Sequence, residues 1–320
     1  MQFDDVDRKL LHALEVDGRV PFRRVGEVIG VSDQTVARRY RRLCERAGLR
    51  VVGVRDGVRL GQDQWMLSLR CAPDGADAIA RALARRGDTA WIGLASGGTE
   101  VIVSTRVRSR GEHEELLLSK LPRTPSIVEI HAHQILHRFY GGPEGWLHKS
   151  DALGAEEVDA LSPVRGTNGA AAIGAEDEAL VVALEGDGRA TLPELRRATG
   201  QSESAVRRRL ERLLGTGAVY IDVEYDTEPV GYRHRAVLWI TASPALLDQV
   251  GATMATHPEV AFAAAVAGRC NLVAVVVVRD VPDLYRYLSG PLGRLEGVER
   301  IDTSSVLRQI KQLRYEEGRR

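Results

Sequence analysis

Cysteine is scarce in this chain, and long apolar runs are missing. The three cysteines among 320 residues, Cys44, Cys71 and Cys270, lie far apart and form no Cys-x-x-Cys pair. This spacing excludes a disulfide-rich scaffold and any metal site built from clustered cysteines, and it favours a reducing, cytoplasmic compartment. No stretch approaches the roughly 18 consecutive apolar residues of a membrane-spanning helix. The acidic start, Met1–Asp7, has no apolar core, so no secretory signal and no membrane partner are expected.

An excess of charge of either sign is also missing. The 44 lysine and arginine residues balance 44 aspartate and glutamate residues, so the formal net charge is zero. A strongly basic composition, which often marks a nucleic-acid binder, is therefore absent, and only a local cluster of cations can indicate one. Hydrophobic residues are 44% and charged residues 28% of the chain, as in ordinary globular proteins, and the length predicts two or more domains.

The chain does contain an internal sequence repeat. At an offset of 170 residues, ten of the 33 positions from Asp17 to Leu49 are identical without a gap, and the triplet Asp-Gly-Arg at 17–19 recurs at 187–189. An offset of 171 then continues the register as far as Leu136 and Leu307. Chance similarity would lose the register over such a distance. We therefore interpret the chain as a tandem duplication of one unit.

Each copy begins with a helical part. In copy one, apolar residues recur with helical spacing until Asp17-Gly18, a second helix is predicted over Phe22–Ile29, and Ser32 is placed to cap a third helix that runs to Ala47. An Asp56-Gly57 turn between valine-rich segments then predicts a β-hairpin. Three helices followed by a hairpin are typical of a winged helix-turn-helix.

The second part of each copy alternates strands and helices in the order βαββαβ. This order predicts a four-stranded antiparallel sheet with two helices on one face, the ferredoxin-like layout, and the open face should pack against the other copy. The predicted elements of copy one are 65–71, 74–86, 89–95, 100–107, 112–121 and 127–136, and those of copy two are 235–241, 244–256, 260–266, 271–278, 282–288 and 298–307.

The predicted fold class is therefore α+β, with two winged helix-turn-helix modules and two ferredoxin-like modules. A stretch rich in Gly, Ala, Pro and Ser separates the copies and reads as a linker with one short helix at Ala155–Leu161. The domain boundaries that follow are 1–61 and 62–140 for copy one, 141–174 for the linker, and 175–231 and 232–320 for copy two.

The third helices carry the chemistry that favours DNA. With Val36 directed to the core, helical geometry turns Gln34, Arg38 and Arg41 outward, with Thr35 and Arg42 beside them. Guanidinium groups bind phosphate or the guanine edge, and small polar residues near a helix N-terminus can reach bases. The predicted DNA contacts are Ser32, Gln34, Thr35, Arg38, Arg41 and Arg42 in copy one, and Ser202, Ser204, Arg208 and Arg212 in copy two.

The two modules differ in local charge. Residues 1–60 hold 13 Arg and Lys against 9 Asp and Glu, whereas residues 170–226 hold 7 against 11. Because acidic surroundings weaken the attraction to phosphate, we expect an asymmetric pair of readers that fits an imperfect palindrome. Solvation of an exposed helix face is the alternative explanation of the arginines.

Together these motifs resemble the Lrp/AsnC family of transcription regulators. The helix-turn-helix match lies in Asp17-Gly-Arg19, Gly30-Val-Ser32 and Val36–Arg39. The sensor-domain match is clearest in copy two, in His257–Val260, Val266–Gly268 with Asn271-Leu272, and Gly297–Arg300. The resemblance implies an effector-binding and oligomerisation domain, a tandem chain equivalent to a fused dimer, further homo-oligomerisation, and an amino acid or a related metabolite as effector.

The resemblance also implies where an effector would bind. The family commonly places an Asp in a Gly-x-x-Asp loop; the matching residues here are Gly97 and Glu100 in copy one, and Gly268 and Asn271 in copy two. Copy one also carries an additional Gly98. We expect these five residues to line the effector sites. Since Asn271 removes a carboxylate that could meet an amino group, we expect the two sites to have diverged.

The sequence is compatible with three other interpretations. His131, His133 and His137 share a predicted strand face with Glu129 and could hold a metal, or they could line an interface opposite Asp302 and Ser304. The chain also resembles the paired units of sirohaem decarboxylases, but no matching catalytic motif is evident. A ligand-sensing protein that has lost DNA binding is the third. We expect no enzyme activity, no cofactor and no resident metal.

Overall fold

A computed structural model describes residues 3–105, 114–149, 152–163 and 169–313. The chain divides into two compact units, each assembled from both copies. The first unit contains residues 1–60 and 142–231, which are the two helical parts and the linker. The second contains residues 61–141 and 232–320, which are the two sheet-forming parts. Within the described ranges, no helix is long and apolar enough to span a membrane.

The first unit contains the two three-helix modules that the sequence predicts. Its helices are α1 (Asp5–Val16), α2 (Phe22–Ile29) and α3 (Asp33–Ala47) in copy one, and α7 (Glu178–Gly186), α8 (Leu192–Thr199) and α9 (Glu203–Gly215) in copy two. Each set packs around its own apolar core, which includes Leu10, Leu14 and Leu43 in copy one and Leu180, Leu184 and Leu213 in copy two. The helix-turn-helix prediction is confirmed.

Local chemistry begins and ends the helices. Asp4 caps α1 by accepting the backbone N–H of Asp7, and Ser32 caps α3 by accepting the N–H of Thr35. Gly30 ends α2 at φ 74°, a left-handed conformation that glycine adopts without steric cost. The capping residues Gly30 and Ser32 therefore determine the short turn between α2 and α3.

The prediction of a β-hairpin after the third helix is wrong. The strand that follows α3, β1 (Arg50–Arg55), forms no hairpin at Asp56-Gly57 and pairs instead with its counterpart in copy two, β6 (Val219–Glu224). The pair is antiparallel, with Gly53 opposite Ile221, and it makes a two-stranded sheet shared by the modules. An alternating valine-rich strand needs an antiparallel neighbour, and the duplicated copy supplies it in place of a hairpin.

The repeated Asp-Gly-Arg triplets form a reciprocal clasp between the two helical modules. The Arg19 guanidinium donates to the carbonyl oxygens of Gly188 and Ala190, and the Arg189 guanidinium donates to those of Gly18 (2.6 Å) and Val20 (2.9 Å). Burial, reinforced for Arg19 by the nearby like charge of Arg189, lowers the pKa of both arginines. The strongest repeat in the sequence is thus the contact that joins the copies.

The linker is an ordered part of the first unit. A helical turn at Trp146–Lys149 and the predicted short helix, α6 (Ala155–Leu161), pack against the first module, so that helix prediction is confirmed. Leu147, Leu153 and Leu161 are buried in the core of that module. Through these apolar residues, the linker segments 145–149 and 152–161 lie across α1 and α2, and we call them the strap. Within the linker, residues 150–151 and 164–168 lie outside the described ranges.

The second unit contains the two ferredoxin-like parts. The strands of copy one are β2 (Trp65–Cys71), β3 (Thr89–Ala95), β4 (Glu100–Thr105) and β5 (Ile127–Tyr140); those of copy two are β7 (His234–Ala242), β8 (Val260–Ala267), β9 (Leu272–Val278) and β10 (Val298–Lys311). Each copy has the antiparallel order expected of the fold, β3-β4-β2-β5 and β8-β9-β7-β10. The predicted α+β class and its ferredoxin-like sheets are confirmed.

The helices of the second unit are α4 (Ala76–Ala84), α5 (Glu115–Lys120, wound as a π-helix), α10 (Leu247–Thr256) and α11 (Val281–Tyr287). α4, α5 and α10 are shorter than predicted, whereas α11 has the predicted length and begins one residue earlier. The predicted start of the second helix in copy one, at residues 112–113, and the predicted strand end at 106–107 lie outside the described residues.

The two sheets join at both edges, which the sequence does not predict. The last strands continue past their predicted ends at Leu136 and Leu307, β5 pairs with β8, and β10 pairs with β3. The eight described strands therefore form one closed sheet. The open faces pack on each other around Met66, Val237 and Trp239, so the predicted pairing of the open faces is present and is reinforced by strand pairing.

Candidate nucleic-acid interface

The outward face of α3 is the one that helical spacing predicts. Val36 and Leu43 are buried, whereas Gln34, Arg38 and Arg41 are exposed on the opposite side. Within the described parts of the chain, Arg38 and Arg41 have no ion pair or hydrogen-bond partner. The face therefore presents one amide and two unneutralised cations, a set that can bind phosphate and read base edges.

Two other arginines of α3 point the opposite way, onto α1. Arg39 pairs with Asp4 and lies 3.3 Å from the Asp7 carboxylate, and Arg42 also pairs with Asp7. The Asp7 side chain is fully buried and the Arg42 side chain is 29% exposed. This corrects the assignment of Arg42 to DNA, because its guanidinium, together with that of Arg39, supplies the counter-charge of a buried carboxylate.

Copy two repeats this ion pair. Arg212 Nη2 lies 2.6 Å from the buried Asp177 carboxylate, and Arg209 Nη1 lies 2.9 Å from it. Burial alone would raise the pKa of Asp177, but hydrogen bonds from Arg212, Arg209 and the Gly174 N–H hold it below its usual value. Arg212 is likewise reassigned from DNA contact to support of the helix-turn-helix scaffold.

The small polar residues of the predicted DNA site lie at the first turns of α3 and α9. Ser32 and Ser202 cap α3 and α9 by accepting the N–H groups of Thr35 and Ala205. Thr35 Oγ1 lies 3.0 Å from Ser32 Oγ, and Ser204 Oγ lies 3.2 Å from Ser202 Oγ. The two capping serines are thus engaged in shaping the helix start, at the exposed end where Gln34, Thr35 and Ser204 lie.

The outward face of α9 is less cationic. Ser204, Arg208 and Glu211 are exposed, so a glutamate stands where α3 has Arg41. Arg207 is exposed too, but it pairs with Glu203 one turn away at 3.0 Å. Arg208 is therefore the single arginine of α9 without an ion-pair or hydrogen-bond partner among the described residues. The asymmetry expected from local charge is present in the geometry of the exposed side chains.

In the sheet unit, the predicted effector residues of copy one form a tight turn. Ser96, Gly97 and Gly98 have φ values of 52°, 69° and 89°. The Glu100 carboxylate accepts hydrogen bonds from the hydroxyls of Ser68 and Ser96, each at 2.6 Å. A side chain on Gly97 or Gly98 would meet no atom within 4 Å, so the outer side of this turn is open.

The equivalent residues of copy two are occupied by the fold. Asn271 Oδ1 accepts the Ala242 N–H at 2.8 Å and Asn271 Nδ2 donates to the Ala242 carbonyl at 2.7 Å, which uses both ends of the amide. Gly268 lies against the His133 ring, where a side chain would collide. The assignment of Asn271 as an effector ligand is corrected, because its polar atoms are already paired with backbone.

The three histidines of β5 have separate surroundings. His131 Nε2 lies 2.7 Å from Glu129 Oε1 and contacts Arg269, not Asp302; the hydrogen bond to His131 lowers the pKa of Glu129. His133 is buried and stacks on Trp239, whose ring centroid lies 4.8 Å away. A register shift after Ile135 separates His137 from this face. Within the described ranges, no three His, Cys, Asp or Glu side chains are grouped to hold a metal.

A further buried acid that the sequence did not indicate lies next to the linker. Glu15, in the last turn of α1, is 8% exposed and lies between Tyr225 and the strap. Tyr225 Oη donates to Glu15 Oε1 at 2.8 Å, and the Leu147 N–H donates to Oε2 at 2.6 Å. Burial raises the pKa of Glu15 to about 8, opposed by these two hydrogen bonds and assisted by Asp222. The only signal in the sequence is that Tyr225 stands at the position where copy one has Arg55.

Two family models match the chain at its two ends. Residues 3–43 match an AsnC-type helix-turn-helix domain. Residues 235–315 match the Lrp/AsnC ligand binding domain. The first match covers α1 to α3, and the second covers the sheet-forming part of copy two.

Curated relatives are single-copy proteins about half as long as this chain. An uncharacterised HTH-type transcriptional regulator of Pyrococcus abyssi is 31% identical over 140 residues, which are 43% of this chain and 88% of that protein. The HTH-type transcriptional regulator FL11 of Pyrococcus horikoshii is 26% identical over 137 residues, 42% of this chain and 90% of that protein.

A solved structure matches the whole tandem arrangement. The crystal structure of the siroheme decarboxylase NirDL in complex with an iron-uroporphyrin III analogue aligns with a TM-score of 0.63 and covers 98% of this chain and 94% of that one. The sequence identity is 13%, so the likeness shows a shared fold of two helix-turn-helix modules and two ferredoxin-like sheets in one chain.

Proposed function

The chain belongs to the Lrp/AsnC family, and on that premise we propose that it is a sequence-specific transcription regulator whose first helix-turn-helix module dominates the reading of double-stranded DNA. The observation that carries the proposal is the exposed face of α3. Gln34, Arg38 and Arg41 are exposed, and their side chains have no hydrogen-bond or ion-pair partner among the described residues, while Arg39 and Arg42 are held on Asp7. Cations left unneutralised on one helix face are what a phosphate backbone and the guanine edge require.

The second module contributes a weaker contact in this proposal. Its third helix offers Arg208 and Ser204, whereas Arg207 is paired and Glu211 repels phosphate. The shared β1–β6 sheet and the Arg19–Arg189 clasp hold the modules as one body with approximate two-fold symmetry. An operator for this protein therefore has two half-sites in inverted orientation, of which the half-site under α3 is the more strongly specified.

Control by a small molecule is the second part of the proposal. The family model implies a ligand, and we propose an amino acid or a related metabolite. The turn of copy one, at Gly97, Gly98 and Glu100, is the better candidate site because its outer side is open, while Asn271 is fully paired. A ligand that binds the sheet unit and leaves the DNA dissociation constant unchanged would contradict this coupling.

Assembly beyond one chain is a further expectation. Leu136 and Leu307, at equivalent positions of β5 and β10, are 62% and 66% exposed, and Tyr285 is 71% exposed. Large apolar side chains at the surface favour contacts between copies. Sedimentation of the intact protein across a concentration series measures this directly.

The experiment that tests DNA reading is a binding titration on the region upstream of the protein's own gene, at two salt concentrations. Wild-type protein should bind more tightly than to random DNA, with affinity that falls as salt rises. Arg38→Ala should weaken binding by about 1–3 kcal/mol, or roughly 5- to 150-fold. Arg286→Ala is the matched control, since it removes one exposed cation of the sheet unit.

Three outcomes separate the alternatives. A selective loss in Arg38→Ala supports the proposal. An equal loss of DNA affinity in Arg38→Ala and Arg286→Ala would show that binding depends on overall charge and not on the outward face of α3. Wild-type binding no tighter than to random DNA would overturn it and favour a sensing protein that has lost DNA binding or, if tetrapyrrole binds and is decarboxylated, an enzyme.

A further inference from the structure

Glu15 lies at a junction of three elements. Its carboxyl group, at the end of α1, receives the Tyr225 hydroxyl from copy two on one oxygen and the Leu147 N–H from the strap on the other. Gly145 passes so close that a side chain there would collide with Glu15. Both carboxyl oxygens and the space beneath them are therefore filled, and solvent has little access.

The same junction is built differently in the other half of the pseudo-symmetric unit. Glu185 is the duplicate of Glu15, and Arg55 is the duplicate of Tyr225. Arg55 Nε lies 2.8 Å from Glu185 and the same guanidinium binds Glu178, so that acid has a buried cation beside it. Among the described residues, no cation pairs with Glu15. One junction is an ion pair and the other is a carboxyl group held by neutral donors.

We propose that Glu15 is a pH-sensitive latch, which holds the strap segment around Leu147 against the first helix-turn-helix module while protonated and loosens it on ionisation. In the protonated form Glu15 is neutral, its Oε1 lies within hydrogen-bond distance of the Tyr225 hydroxyl, and its Oε2 accepts the Leu147 N–H. Above the transition the proton passes to solvent, and a buried carboxylate is left in an apolar core without a counter-ion.

The groups that face Glu15 favour this direction. Tyr225 and Asp222 face it from the β6 side, and Asp222 opposes a second negative charge. From the strap, the Leu147 N–H faces Glu15. On α1 itself, His12 lies one turn earlier and its Nδ1 accepts the Leu153 N–H at 3.2 Å. The pKa of about 8 for Glu15, against 4.5 for a free glutamate, agrees with this geometry.

The remainder of the strap has contacts that do not depend on Glu15. Lys9 lies 3.6 Å from Glu157, and the Arg24 guanidinium donates to the Ala160 carbonyl at 3.1 Å. We therefore expect loosening near residues 145–149, while α6 stays docked. This segment is the part of the chain that follows β5.

The sign of the pH effect follows from the raised pKa. The Glu15 carboxyl group has a pKa near 4.5 when the strap is undocked and about 8 when the strap is docked, so docking is favoured at low pH. The docking constant should fall about tenfold per pH unit across this window and become constant above about pH 9. Between pH 6.5 and 8 the loss is about 15-fold.

Hydrogen exchange of the Leu147 amide in the full-length protein tests the latch. Its protection factor, corrected for the intrinsic pH dependence of exchange, should fall about 15-fold from pH 6.5 to 8 in the wild type. In Glu15→Gln, which retains an acceptor for Leu147 and stays neutral, the factor should be constant. Amides of α9 serve as the internal reference.

Two further variants keep the test decisive. Glu185→Gln, the matched control at the paired junction, should retain the wild-type slope. Tyr225→Phe removes a donor that stabilises the ionised form, so its slope should extend above pH 8. A wild-type factor that does not change with pH, or an unchanged slope in Glu15→Gln, would overturn the proposal. The readout needs no DNA, so it succeeds or fails independently of the proposed function.

Discussion

The two helix-turn-helix modules are copies of one unit, and they differ where they face outward. Inside, the copies agree: Asp7 and Asp177 each neutralise two arginines of the third helix, and Arg19 and Arg189 exchange equivalent hydrogen bonds. Outside, Arg41 of α3 corresponds to Glu211 of α9. The comparison shows that the two copies share the ion pairs of Asp7 and Asp177 and the Arg19–Arg189 contact, while the charge at one position of the outward face is reversed.

A second difference concerns what covers the modules. The strap buries His12 on α1, whereas Val182, the duplicate position on α7, is 49% exposed. The cation that satisfies Glu185 has been replaced by Tyr225 beside Glu15, where the strap supplies a backbone donor instead. The strap therefore covers the His12 position of the first module, whereas the duplicate position of the second module is exposed.

The largest effect is expected from breaking what the copies share. Asp7→Ala and Asp177→Ala should each destabilise their own module by about 3 kcal/mol, because two guanidinium groups lose a buried counter-charge. Hydrogen exchange of the slowest amides of α3 and α9 reports each module separately. If the losses of stability in the two modules agree within about 1 kcal/mol, the two scaffolds are equivalent. A loss confined to one module would show that only one copy depends on its acid.

A smaller effect should separate the two halves of the clasp. The Arg189 guanidinium lies 4.6 Å from the centre of the Phe22 ring and 5.6 Å from that of Tyr40, whereas the duplicate positions facing Arg19 carry Leu192 and Leu210. Arg189→Ala should therefore cost about 1 kcal/mol more than Arg19→Ala. A double-mutant cycle with Phe22→Leu measures the ring contribution, and equal costs would contradict it.

The smallest effect should come from exchanging the divergent surface residues. Glu211→Arg gives α9 the charge of α3 and should tighten DNA binding several-fold at low salt, by about 1 kcal/mol, with a steeper salt dependence. Arg41→Glu should do the reverse. Titration of both variants and of the double exchange on one DNA fragment checks this. Unchanged affinity in both single variants would place these faces away from the DNA.

Much of the fold was accessible from the sequence because its signals are local or repeated. The caps Ser32 and Gly30, the spacing of Val36 and Leu43, and the βαββαβ order each specify an element without reference to distant chain. The offset of 170 residues also identified the Asp-Gly-Arg triplets, whose identity reflects a real contact. It did not reveal that this contact joins the copies.

The elements that were missed depend on distant pairing. Valine-rich β1 satisfies the pattern of a hairpin and of a strand that pairs across the duplication equally well. The extensions of β5 and β10 beyond Leu136 and Leu307 have no sequence signal of their own, since their partners are strands of the other copy. Register between copies is set by packing, which a linear pattern does not contain.

The candidate site was predicted in part for the same reason. Helical geometry separates Arg38 from Val36, but it leaves Arg42 on a border, and only the position of Asp7 decides its role. Asn271 matched a family position and proved to be paired with Ala242. Glu15 belongs to no sequence motif. Its raised pKa arises from burial beside neutral donors, without a paired cation among the described residues.

The central claim is that α3 reads DNA and α9 assists it. Arg38→Ala and Arg208→Ala remove duplicate residues with the same charge from the same position of the two third helices. On one operator fragment and at one salt concentration, we predict that Arg38→Ala weakens binding about 5- to 150-fold and Arg208→Ala less than about threefold. Equal losses, or a larger loss in Arg208→Ala, would contradict the account.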